Sequence, residues 1–367
     1  MLRVGLVGLP RAGKSTVFDA LVRSSGAHAA AGRTFAGLTP RVATVKVPDS
    51  RLAVLAEMYH PRKVTPAEVE YSDVPRLAAE AQPGTRQAPG YLAQLRQMDA
   101  LLHVVAGFDE PDLAGLPATM VGRLQEGATE LALADLLIAE GRLERLEGEI
   151  RKLPGAERAA REREQEALQR VRAQLDAGGV VRDLSFTPEE ERLLRGYGFL
   201  TGKPTLLVAN LDEASWPARE AVEAALRAAH AHAATGVVSL MAQWEAELAE
   251  LEPDEAAAFR ESLGLAEPAA ERVLSEMYDT AGLVSFLTAG EDEVRAWPVP
   301  RGTLAPEAAG TIHSDFQKAF IRAEIVPYDD LVRLGSWAAA RTAGALRQVG
   351  KDYAMQDGDV THFLAGR

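Results

Sequence analysis

Eight residues near the start of the chain constrain it more than any others. Gly8-Leu9-Pro10-Arg11-Ala12-Gly13-Lys14-Ser15 follows the apolar run Leu2–Val7 and opens the amphipathic stretch Ser15–Val22. The spacing G-x-x-x-x-G-K-S between a strand and a helix is that of a phosphate cradle. Its glycines let backbone N–H groups converge on phosphate oxygens. The amino end of the helix adds a field that favours anions. Lys14 is then expected to neutralise the β and γ phosphates, and Ser15 to offer its hydroxyl to Mg²⁺. Arg11, Ala12, Gly13 and Thr16 complete the expected phosphate contacts.

The residues around this motif supply the sheet it needs. Val42–Val47, Val69–Tyr71, Ala100–Val105, Pro204–Ala209 and Gly236–Leu240 read as further strands. Helical patterns such as Gly90–Gln97 lie between them. Strands alternating with helices predict a mostly parallel sheet covered on both faces, an α/β fold. From about Thr129 to Ala177 the composition turns to Glu, Arg, Leu and Ala. Leu136, Ala139, Leu143, Leu146, Ile150 and Leu153 recur in steps of three and four, the seam of a coiled coil. Pro154-Gly155 breaks it, and a second helix carries Leu168, Val171 and Leu175 on one stripe. This predicts an antiparallel helical hairpin inserted into the α/β domain. Thr187-Pro188-Glu189-Glu190 reads as a helix start, with a hydroxyl cap, Pro at the first position and Glu at the third. Beyond Gly282, strands at Glu293–Val299, Ala323–Val326 and Val360–Leu364 and a helix near His313–Phe320 predict a small α+β domain. Gly358, between Asp357 and Asp359, suits a turn before the last strand.

Two further sites follow strands. Asp73 ends the strand Val69–Asp73, where a Mg²⁺-facing carboxylate would sit. Asn210-Leu211-Asp212-Glu213 follows the strand Thr205–Ala209, where many GTPases carry Asn-Lys-x-Asp. There the Asp holds guanine and the Lys stem covers the base. Leu211 and Glu213 in those places predict a purine pocket with altered selectivity.

Composition excludes several alternatives. The 367 residues carry a net charge of −13 and no cysteine. Disulfides, thiolate metal sites and Cys nucleophiles are excluded. A global basic footprint for DNA is absent. No apolar run approaches the roughly 18 residues of a membrane helix, and Met1–Val7 is too short for a signal-peptide core. A cytoplasmic protein without a membrane partner is expected.

These motifs together resemble the YchF group, also called Obg-like ATPases, within the translation-factor class of P-loop proteins. The resemblance rests on Gly8–Thr16, the Val-Pro-Asp49-Ser-Arg-Leu run, Thr129–Asp135, Val208–Glu213 and Glu245–Leu248. It is most specific at Phe286–Gly290, Glu293–Trp297, His313–Phe316, Phe320–Glu324, Gly350–Tyr353 and Gln356–Val360. It implies a P-loop G domain at 1–128 and 199–281, a helical coiled-coil insertion at 129–198 and a C-terminal TGS domain of β-grasp type at 282–367. It also implies ATP binding at least as good as GTP binding, slow hydrolysis and association with the ribosome or ribosomal RNA. The family's Asn-x-x-Glu falls on Asn210 and Glu213, and its next base-contacting loop on Met241 and Ala242.

The chain departs from the family at its switches. The family's Asp-x-x-Gly is Asp73-Val74-Pro75-Arg76, so an arginine replaces the glycine that approaches the γ-phosphate. Arg76 could reach that phosphate as an internal cation. The family's metal-binding switch Thr falls on Gly37, leaving Thr34 and Thr39 as the nearest hydroxyls. Leu77 sits where Ras-like GTPases place a catalytic Gln; an apolar residue there is normal for this group, and it carries no polar group to orient water. The leading expectation is a slow ATPase acting as a switch on the translation machinery. The alternatives are a catalytically weak nucleotide-binding adaptor and a GTP-preferring GTPase. A metabolic transferase shares the P-loop but lacks support from the inserted hairpin. Arg142, Arg145, Arg151, Lys152, Arg158, Arg161, Arg163, Arg170 and Arg172 stud the hairpin among glutamates. They read as a salt-bridged surface, or as phosphate contacts to ribosomal RNA. His313 reads as structural.

Overall fold

A computed structural model describes residues 1–32, 34, 39–75, 89–262 and 267–366. The chain divides into two compact units. One holds Leu2–Thr44 and Glu70–Thr280; the other holds Met1, Val45–Val69 and Ala281–Arg367.

The larger unit is built on a seven-stranded sheet. Its spatial order is Ala30–Ala31, Arg41–Lys46, Glu68–Asp73, Leu2–Val7, Ala100–Gly107, Thr205–Leu211 and Thr235–Leu240. Leu2–Val7 pairs parallel with Ala100–Gly107, which pairs parallel with Thr205–Leu211, which pairs parallel with Thr235–Leu240. Every residue of Thr205–Leu211 is buried, as a central strand covered on both faces must be. Parallel strands bring their carboxyl ends to one edge, where open α/β sheets bind ligands. The strand expected to end at Ala209 runs on through Leu211, because Ala106↔Asn210 and Gly107↔Leu211 continue the ladder.

The inserted helices begin earlier than the seam predicts. One helix spans Leu116–Ile150, 35 residues, about 50 Å at 1.5 Å per residue. Its first part covers the sheet, with Leu116, Met120 and Leu124 packed on Val105, Leu207 and Ala209. Its second part is the hairpin arm. There Ala139, Leu143 and Leu146 share a core with Leu168, Val171 and Leu175 of the helix Gly155–Asp176. Thr187 closes a capping box on the following helix. Its Oγ1 accepts from Glu190 N at 3.3 Å, and Glu190 Oε2 accepts from Thr187 N at 2.8 Å.

The smaller unit holds a six-stranded sheet in the order Arg347–Val349, Phe320–Pro327, Asp359–Ala365, Leu283–Ala289, Glu293–Pro300 and Lys63–Thr65. The helix Ala305–Ile312 packs its alanines on Phe286, Val299 and Ile325. Residues Val45–Val69, placed in the first domain from the sequence, cluster with this unit. Lys63–Thr65 pairs parallel with Glu293–Arg295. Arg51, in the helix Ser50–Tyr59, donates to Asp49 at 2.8 Å and to Asp357 at 2.7 Å. Gly358 takes φ 79°, as the turn requires. His313 Nδ1 accepts from Asp315 N at 3.2 Å and caps a short helix. Among the described residues, no helix is long and apolar enough to cross a membrane.

Candidate nucleotide-binding site

The turn after Leu2–Val7 is shaped by backbone conformations that ordinary residues avoid. Gly8 has φ 143° and Gly13 φ 84°. A Cβ on Gly8 would lie 2.3 Å from the Val104 carbonyl oxygen, and one on Gly13 would lie 2.2 Å from Asn210 Nδ2. Both positions therefore need glycine for φ and for space. Arg11, exposed, holds φ 63° between them. Gly13 ends the turn as the cap of the helix Lys14–Ser24 and brings no capping side chain. The first-turn N–H groups, those of Lys14, Ser15 and Thr16 among them, have no intrahelical acceptor. They are donors of the kind a phosphate takes.

Lys14 Nζ donates to the carbonyls of Gly8 at 3.1 Å and Leu9 at 2.8 Å, so it folds over the turn. Ser15 Oγ donates to Asp73 Oδ2 at 2.9 Å. Two oxygens at neighbouring corners of a magnesium octahedron stand about 2.9 Å apart. A hydroxyl and a carboxylate at this spacing fit Mg²⁺. Arg11, Lys14, Ser15, Thr39, Arg41 and Asp73 line a cleft of about 410 Å³. Thr39 Oγ1 lies 2.7 Å from Thr34 Oγ1.

Asn210, near the end of its strand, ties two loops together. Its Nδ2 donates to the Ala12 carbonyl at 3.2 Å, and its Oδ1 accepts from Ala242 N at 3.3 Å. It is 4% exposed, so both bonds are made away from water, where leaving either group unpaired is costly. Met241 and Ala242 are buried, and Ala242 meets Asn210 through its backbone N–H. Leu211, expected beside the base, is corrected by the structure. It is 2% exposed and packs in the core with Met120 and Val222. Neighbours on a strand point to opposite faces, so with Asn210 toward the P-loop, Leu211 must enter the core. Glu213 is exposed in the turn beyond. Asp212 holds that turn. Its Oδ1 accepts from Ser215 N at 2.9 Å, and its Oδ2 from Asp109 N at 2.9 Å. Burial alone would raise its carboxyl pKa, but the bonds from Ser215 and Asp109 outweigh burial and lower it.

Two residues at this site escaped the sequence reading. Arg41 donates to Asp73 Oδ2 at 3.0 Å and to Asp19 Oδ1 at 3.0 Å. No motif marks it; only its strand position brings it to Asp73. Phe108 stands just past the strand Ala100–Gly107, near Gly13. With Arg11, Ala12 and Arg123 it lines a second hollow of about 190 Å³. An aromatic at the carboxyl end of a parallel strand was the available signal. Arg76, Gly37 and Leu77 lie outside the described residues.

Known proteins share this architecture along the whole chain. The MMR_HSR1 family model, described as a 50S ribosome-binding GTPase, matches residues 3–137. The YchF-GTPase C-terminal family model, described as a protein of unknown function, matches residues 283–366. Ribosome-binding ATPase YchF of Pasteurella multocida (strain Pm70) is 37% identical over 366 residues, 98% of each chain. The protein of the same name from Bacillus subtilis (strain 168) is 37% identical over 366 residues, 99% of this chain and 98% of the relative. The chain belongs to the YchF family. Obg-like ATPase 1 of Oryza sativa subsp. japonica is 32% identical over 368 residues, 99% of this chain and 91% of the relative. The solved structure of the Schizosaccharomyces pombe YchF GTPase superposes with a TM-score of 0.80 at 28% identity, covering 99% of this chain and 97% of that one. The YchF fold thus accounts for the P-loop sheet, the inserted helices and the C-terminal sheet together.

Proposed function

We propose that this YchF-family chain is a slow purine nucleoside triphosphatase that binds ATP at least as well as GTP and works as a switch on the ribosome. The observation that carries the reading is Asn210. One buried amide joins the P-loop at Ala12 to the loop at Ala242, so the phosphate cradle and the base-side loops are held as one site. Arg11, Ala12, Gly13, Lys14, Ser15 and Thr16 hold the phosphates. Asn210, Glu213, Met241 and Ala242 flank the base, and the Phe108 ring offers it a stacking face. Ser15 and Asp73 would hold Mg²⁺, which when bound supplies positive charge to the β and γ phosphates. Glu213 in place of a shorter aspartate misplaces the paired contact to guanine, which favours ATP. Arg76 in place of glycine and Leu77 in place of a water-orienting side chain make turnover slow. The relatives' name, Ribosome-binding ATPase YchF, supports a ribosomal partner, and with it a cytoplasmic location.

Titration of ATP against GTP, a hydrolysis time course and co-sedimentation with ribosomes test this reading. ATP is expected to bind no more weakly than GTP, and turnover without a partner to stay below about 1 per second. A GTP preference above about tenfold, roughly 1.4 kcal/mol, overturns the base assignment. Tight binding with no turnover even on ribosomes selects the adaptor alternative.

A further inference from the structure

We propose that Arg41 is an internal counter-cation that competes with Mg²⁺ for Asp73, and so sets how strongly nucleotide binding depends on the metal. The inference rests on the nucleotide reading of the cleft.

The same carboxylate oxygen serves two partners. Asp73 Oδ2 accepts from Ser15 Oγ at 2.9 Å and from Arg41 Nη2 at 3.0 Å. Ser15 and Asp73 are the pair whose spacing fits the metal, so the guanidinium is bound to an oxygen the metal would use. Arg41 is steered there from several sides. Its Nη1 donates to Asp19 Oδ1 at 3.0 Å, its Nη2 also reaches the Ser15 carbonyl at 3.4 Å, and its guanidinium carbon lies 4.7 Å from the centre of the Phe18 ring.

Exposure decides that this pair is exchangeable. The Asp73 side chain is 10% exposed, while that of Arg41 is 43% exposed. A shielded carboxylate is costly to leave uncompensated, whereas an exposed arginine loses little on release into water. Asp73 therefore needs a cation at all times, and either of two can serve. Without metal, Arg41 cancels the Asp73 charge beside the incoming phosphates. A guanidinium has five donor hydrogens, so donors remain for a phosphate oxygen. With metal, Nη2 must give up Oδ2, and part of the metal's contribution is offset. Both effects narrow the gap between metal-loaded and metal-free nucleotide affinity.

Calorimetric titration of the full chain with β,γ-imido ATP, in Mg²⁺ and in EDTA, measures that gap. For the wild type, affinity is expected to fall less than about tenfold on removing the metal. Arg41→Ala is expected to widen the ratio by about tenfold or more, chiefly through weaker binding in EDTA, and Arg41→Lys to fall between. A general loss of structure would lower both affinities without widening the ratio. Arg41→Gln, close in length and checked by circular dichroism, gives the same reading should the alanine variant not fold. A ratio in Arg41→Ala and Arg41→Gln equal to that of the wild type overturns the proposal, as does a wild-type ratio above about a hundredfold. Absence of wild-type binding in both buffers overturns the nucleotide reading and this inference with it.

Discussion

Arg142 in the helical hairpin and Arg41 in the cleft are assembled from similar parts. Each guanidinium bridges two carboxylates beside an aromatic ring: Glu149, Glu164 and Tyr197 for Arg142, and Asp19, Asp73 and Phe18 for Arg41. Their surroundings differ. The Arg142 side chain is 15% exposed and that of Glu164 4%. Both Glu164 oxygens accept bonds, Oε1 from Arg142 and Tyr197, Oε2 from Arg142 and Arg161. Protein shields the Arg142–Glu164 pair at its centre, with Glu149 and Arg161 at the exposed rim, and the network pins one helix of the hairpin to the other. The Arg41 network opens on a cleft and can trade partners. An ion pair is structural or exchangeable according to what else can reach it, more than according to its own length.

The largest effect expected is in the hairpin. Glu164→Ala leaves the shielded Arg142 without its buried acceptor, while Arg161, 42% exposed, can turn to water; breaking a shielded pair costs about 3–5 kcal/mol. Urea unfolding should record that loss, while nucleotide affinity of the folded fraction stays at the wild-type value. A loss below about 1 kcal/mol, the range of exposed pairs, would erase the distinction between the two networks.

Acid should find the same place. Burial alone would raise the Glu164 pKa, but the hydrogen bonds from Arg142, Tyr197 and Arg161 overcome it and pull the value down to about 2. A folded pKa below the unfolded one stabilises above the unfolded value, near 4.5, and loses that stabilisation as pH falls toward 2. The contribution is on the order of 3 kcal/mol. Melting of the wild type should therefore weaken below about pH 4.5, and Glu164→Gln should flatten that slope.

The cleft should respond in the opposite currency. Lys14→Ala removes a cation from the phosphate cradle, and nucleotide affinity is expected to drop about a hundredfold, roughly 2.7 kcal/mol. Lys14 Nζ donates to the carbonyls of Gly8 and Leu9 in its own turn, local bonds whose loss should move the melting curve less than Glu164→Ala does. Unchanged affinity would remove the P-loop from the binding site. Smallest of all is Arg158→Ala. Arg158 pairs with Glu162 one turn on, both more than 40% exposed, and such a pair contributes less than about 0.5 kcal/mol. A larger loss would mean that exposure does not separate the pairs of the hairpin.

The hairpin was largely legible from its sequence. Leu143, Leu146, Leu168, Val171 and Leu175 fall at helical spacing, and all five are buried. Five of the nine basic residues read there pair with glutamates: Arg142, Arg158, Arg161, Arg163 and Arg170. Arg145, Arg151, Lys152 and Arg172 are exposed and remain the candidates for phosphate contact. The helix start at Leu116 was not legible, because the residues that seat it on the sheet follow no coiled-coil seam. Nor was the helix Ser50–Tyr59, or the strand Lys63–Thr65, which exists only by pairing with Glu293–Arg295.

The sequence alone determined the phosphate turn. Gly8, Gly13 and Lys14 act through local backbone conformation and a fixed spacing, and both are written in adjacent residues. It likewise determined the Thr187 capping box, whose partners lie within one helical turn, and the two apolar stripes of the hairpin core, which repeat at helical spacing. Only the tertiary structure decided that Asn210 clamps the P-loop while Leu211 enters the core. That choice depends on how far the ladder with Ala106 and Gly107 extends and on which face the P-loop occupies. It also decided that Arg41 meets Asp73, 32 positions away. Contacts across a sheet are set by strand order and register, and no periodicity within one strand carries that information.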